Sequence, residues 1–111
     1  MAKKIYKFPL NLMGDTMLTL PIGYDVLSVG NQGGKLVAWV AVNEEHKKIP
    51  VKLVSCMTGH NTPDVKELSS EEICQFVGTV QIGPHVSHVF EIYDFAYEAQ
   101  KEPRLKETTG I

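Results

Sequence analysis

The chain has 111 residues, 43% of them hydrophobic and 22% charged, the composition of one ordinary globular domain, which excludes wholesale disorder, a coiled coil or a second core. Its 11 Lys and Arg against 13 Asp and Glu leave a net charge of −2. Nucleic-acid binding draws on a basic surplus and is therefore not expected.

The opening Met-Ala-Lys-Lys runs straight into a strand-like segment, without the apolar stretch of a signal peptide or a membrane span. Neither export nor membrane association is expected, and the chain reads as cytoplasmic. Ile5 to Leu10 mixes β-formers with Pro9, which lacks the amide proton a central strand donates, so it predicts an edge strand. After a Gly14-Asp15 turn, Thr16 to Leu20 predicts a second strand, broken by Pro21-Ile22-Gly23-Tyr24-Asp25. Val26 to Val29 and Lys35 to Val42 flank a Gly-rich stretch, Gly30 to Gly34, and form the clearest hairpin in the chain. The second arm is apolar on both faces, which marks a central strand and favours the core for Trp39, with an aromatic recognition surface shared with Tyr6, Tyr24, Tyr93 and Tyr97 as the alternative.

A polar connection carrying His46, expected to face solvent, leads to Ile49 to Met57, which keeps period two and predicts a long hairpin partner for the Trp39 strand. The loop Thr58 to Asp64 then enters Val65 to Ile73, where Ser69 and Glu72 have the spacing of a capping box and predict a short helix. Ile73 to Ile82 alternates, with Cys74, Phe76, Val80 and Ile82 on one side. A Gly83-Pro84-His85 turn leads to Val86 to Tyr93, where Val86, His88, Phe90 and Ile92 share a face. Leu36, Val40, Leu53, Phe76, Val80 and Phe90 are the expected core. Residues 96–111 are charged and poor in apolar anchors, and read as a polar tail after a domain spanning 1–95. The expectation is an all-β or mostly β fold of about six strands with at most one short helix, built as a single antiparallel sheet, a sandwich or a partly open barrel.

No phosphate-binding, dinucleotide or nucleophile-elbow motif occurs. Cys56 and Cys74 lack both metal-ligand and paired spacing and read as reduced, partly buried thiols, with a single disulfide between them as the alternative. His60, His85 and His88 fall at turns or strand ends, but His85 and His88 point to opposite faces of one strand, the wrong spacing for zinc. Neither a metal nor a cofactor is expected. Thr58, Gly59, His60 and His88 are the candidate binding residues: Gly59 admits unusual backbone angles, and His60 and His88 are expected to lie close together and organise the loop.

Ile5-Tyr6-Lys7-Phe8-Pro9-Leu10, Leu27-Ser28-Val29, Trp39, Thr58-Gly59-His60, Phe76-Val77-Gly78-Thr79 and His88-Val89-Phe90-Glu91, in that order, resemble a family of short phage and prophage proteins carrying a domain of unknown function. The resemblance runs from about Lys4 to Ile92. It departs at Asn61, where the family commonly has proline, and in a longer stretch before Phe76. It implies a product acting in a bacterial host cytoplasm and brings no catalytic residues with it. The expected function is a non-catalytic accessory protein that binds a host protein or sequesters a small host molecule. The alternatives are a small hydrolase or metal-binding enzyme using His60 and His88 beside a carboxylate such as Glu91, and a virion or assembly component. Homo-oligomerisation is left open by the sequence.

Overall fold

The computed structural model describes residues 2–62 and 72–94. They form β1 (Lys4–Pro9), β2 (Gly14–Pro21), β3 (Asp25–Gln32), β4 (Lys35–Val42), β5 (Lys48–Met57), β6 (Glu72–Ile82) and β7 (His85–Asp94), seven strands against about six expected. The strands build two antiparallel sheets, one in the order β1-β4-β3 and the other β2-β5-β7-β6. The sheets stack as an open sandwich and are not closed into a barrel. No helix occurs among the described residues.

Period-two alternation decides what each strand buries. Leu36, Ala38, Val40 and Val42 of β4 meet Ile49, Val51 and Leu53 of β5, with Leu20, Val26, Val80, Ile82 and Val89 completing one core between the sheets. The expected core residues Leu36, Val40, Leu53 and Val80 all lie there. Two polar side chains of the interior, Tyr24 and Ser87, find the partners that burial demands. The Tyr24 hydroxyl donates to Glu91 Oε2 at 2.5 Å, and the Ser87 hydroxyl donates to the Leu12 carbonyl at 3.0 Å.

Several expectations are corrected. Strand β5 does not pair with the Trp39 strand: both edges of β4 are taken by β1 and β3, and β5 pairs with β2 and β7. The link between β4 and β5 therefore changes sheets, helped by Asn43, whose side-chain oxygen accepts from the Glu45 amide at 3.1 Å. Trp39 lies on the face of β4 opposite the core positions and is only half-buried. His46 is half-buried too, its Nδ1 donating to the Ile22 carbonyl at 2.8 Å.

A further correction concerns β6. Its register with β7 slips between Phe76 and Gly78, so Val77 is the extra residue of a β-bulge. The bulge reverses the alternation: Cys74 and Phe76 face away from the sandwich interior, whereas Val80 and Ile82 face into it. Phe76 is consequently 55% exposed, not core. Phe90 is half-buried on the same outer face, because the interior side of β7 belongs to Ser87, Val89 and Glu91. The helix expected between Val65 and Ile73 falls at 65–71 outside the described residues, and Glu72 and Ile73 already belong to β6. The tail at 96–111 lies outside them as well.

Candidate functional site

The outer face of the four-stranded sheet is built from every second residue of its strands. Val54 and Cys56 of β5, Phe90 and Ile92 of β7 and Cys74 of β6 form a second apolar cluster there, separate from the main core. Cross-strand pairing sets Phe90 opposite both Val54 and Phe76, and His88 opposite both Cys56 and Thr79. The Phe76 and Phe90 rings meet edge to face, centroids 5.5 Å apart with a 65° interplanar angle, an arrangement that matches the positive edge of one ring to the negative face of the other.

At the end of this face β5 runs into a tight turn. The His60 amide donates to the Met57 carbonyl at 2.9 Å, and the Thr58 amide donates to the Val86 carbonyl at 3.0 Å. Gly59 occupies the third position of the turn with φ of +88°, a backbone angle that side-chain-bearing residues resist and that a type II turn requires there. The turn thus swings Thr58 over β7, where its hydroxyl lies 2.7 Å from His88 Nε2. On the other side, the Thr79 hydroxyl lies 2.8 Å from His88 Nδ1.

Each hydroxyl can donate or accept, so the clamp matches the donor and acceptor of either neutral tautomer and fixes the orientation of the ring. Thr79 reaches the ring only because of the bulge: with Val77 as the extra residue, both Phe76 and Thr79 point outward.

These groups line a depression of about 340 Å³ whose walls include Thr58, Gly59, His60, Phe76, His88 and Phe90. All four sequence-predicted residues, Thr58, Gly59, His60 and His88, therefore border one feature, with His60 exposed at its rim. The sequence reading missed Phe76, Phe90 and Thr79. The available signal was Gly78, since a glycine inside an alternating strand marks a bulge.

Cys56 also lines the depression. Burial pushes the thiols of Cys56 and Cys74 up, and both cysteines are free, so neither has the depressed pKa of a reactive thiolate. Glu91, the carboxylate considered beside His88, is three residues along β7 and therefore on the opposite face, 1% exposed. Among the described residues no group of three or more His, Cys, Asp or Glu side chains is arranged to hold a metal ion.

The fold and site define a small β-sandwich with an aromatic and hydroxyl-lined depression on its outer face. The sequence profile of a domain of unknown function, DUF7352, matches residues 1–100, and the chain belongs to that family. No curated protein and no solved structure matches it. Among the described residues no helix is long and apolar enough to cross a membrane.

Proposed function

We propose that this protein is a non-catalytic phage accessory factor that acts in the bacterial host cytoplasm by binding a host protein through the outer face of its four-stranded sheet. The observation that carries the reading is Phe76, a large aromatic side chain 55% exposed at the mouth of the depression. Exposed aromatics set in a preformed pocket are the anchors around which protein interfaces concentrate their binding energy. The ring packs edge to face with Phe90 and stands beside a hydroxyl-clamped imidazole, so much of the ordering cost is met before a partner arrives. The phage setting rests on the family resemblance that the ordered motifs from Ile5 to Glu91 carry.

Binding is favoured over hydrolysis by His88 itself. Both its ring nitrogens are engaged by threonine hydroxyls, and among the described residues no carboxylate orients it as a general base would require. The test is affinity capture from bacterial lysate with the tagged protein and its Phe76→Ser variant. A partner held by the native protein is expected to fall about tenfold or more with Phe76→Ser while the thermal midpoint stays in place. Equal capture by both proteins overturns the reading.

A further inference from the structure

The sandwich is closed on one side and open on the other. Strands β3 and β6, from different sheets, pack against each other, and Val29 of β3 lies against Gly78 of β6. On the opposite side the edge strands β1 and β2 diverge and leave a cleft of about 370 Å³ between the sheets. The floor of the cleft is core: Leu20 and Val42 are 1% and 3% exposed. Tyr6 and Phe8, which alternate with the outward residues of β1, wall it from the first sheet. Tyr6 remains 40% exposed although it is on the interior side of its strand, so the interior surface at this end is left unfilled by the side chains of the described residues.

The rim is polar and carries more positive than negative charge. Glu44 and Lys48 border the cleft, and the Glu44 carboxylate is already taken up by Lys4, whose Nζ lies 3.1 Å away. Hydrogen bonds from Lys4 and then Tyr6 hold the Glu44 carboxyl below its ordinary range. Lys48 makes no ion pair within 4 Å among the described residues, and its charge adds a weaker attraction on the same Glu44 carboxylate. With two ammoniums, Lys4 and Lys48, around the one Glu44 carboxylate, the mouth of this mostly apolar slot keeps a net positive charge, which matches a molecule with an apolar body and a single anionic end. We infer that the cleft between β1 and β2 is a second binding site, distinct from the outer-face depression, for a small amphipathic carboxylate. Its apolar chain lies over Leu20 and Val42 between Tyr6 and Phe8, and its carboxylate pairs with Lys48.

Octanoate is the probe, with octan-1-ol as the same chain without the charge. In nitrogen–proton NMR spectra of the whole chain, octanoate is expected to give saturable shifts at the amides of Phe8, Leu20, Val42 and Lys48. Lys48→Gln, a change at an exposed side chain, is expected to weaken octanoate about fivefold and leave octan-1-ol unaffected. The Phe76→Ser variant is expected to bind octanoate as the native protein does, which separates this site from the outer face. Absence of saturable shifts at the cleft, shifts confined to Phe76 and Phe90, or an octanoate affinity indifferent to Lys48→Gln each overturns the inference.

Discussion

The two faces of the four-stranded sheet are both apolar, yet they are organised differently. Toward the other sheet, Val51, Leu53 and Val89 are fully enclosed and the buried Tyr24 hydroxyl is matched to a buried carboxylate. On the outer face, Val54, Cys56 and Ile92 are buried, but Phe76 and Met17 stand 55% and 62% exposed at its margins. The inner face is made for stability, because its large side chains are covered wholly or in part by the other sheet. The outer face keeps aromatic surface in water, which a fold has no reason to retain for its own sake.

The comparison can be broken by substitution, and the largest effect is expected inside. Leu53→Ala should cost about 2–5 kcal/mol in chemical denaturation by leaving a cavity between the sheets. A loss below about 1 kcal/mol would mean that the interior is no better packed than the exterior. Tyr24→Phe should cost about 1–3 kcal/mol, since it removes the hydroxyl donor to buried Glu91. Gly78→Ala should cost about 1–3 kcal/mol, because a Cβ there would stand 2.9 Å from Val29 Cγ2 and press the closed side of the sandwich apart.

Outer-face effects should be smaller. Phe90→Ala removes a half-buried ring and should cost about 1–2 kcal/mol, clearly less than Leu53→Ala in the same denaturation experiment. If the order of the two is reversed, the outer cluster and not the inter-sheet core dominates stability. The smallest effect lies at the cleft rim. The Glu44 carboxyl should titrate below the ordinary 4.5, held down by its hydrogen bonds to Lys4 and Tyr6. Because the folded value is lowered, the stabilisation it brings is present above the unfolded carboxylate value and is lost as pH falls through the folded one. Carbon NMR titration of Glu44 checks this, and Lys4→Met should move the midpoint back toward 4.5.

Much of this was legible in the residues themselves, because alternation is a local property. The edge position of β1, with Pro9 denied a ladder bond, the hairpin around Gly33 and Gly34, and the central place of β4 all follow from patterns a few residues long. So does the turn at Gly59, where the residue type announces the backbone angle. Alternation says which residues of β7 share a face, and His88, Phe90 and Ile92 do. It does not say which face meets the other sheet when both are apolar.

That choice belonged to the tertiary structure. The partner of β5 depended on whether β4 still had a free edge, and β1, remote in sequence, had taken it. The place of Phe76 depended on a single extra residue at Val77, whose bulge reverses the sidedness of everything before it. The sequence by itself determined the strands, the tight turns and the all-β class, since each rests on contacts within a short stretch of chain. Only the tertiary structure decided which faces were inside, that Thr58 and Thr79 close on His88 from two strands, and that β1 and β2 stand apart over an open cleft. Those outcomes depend on pairings between residues distant in the chain, and no local pattern encodes them.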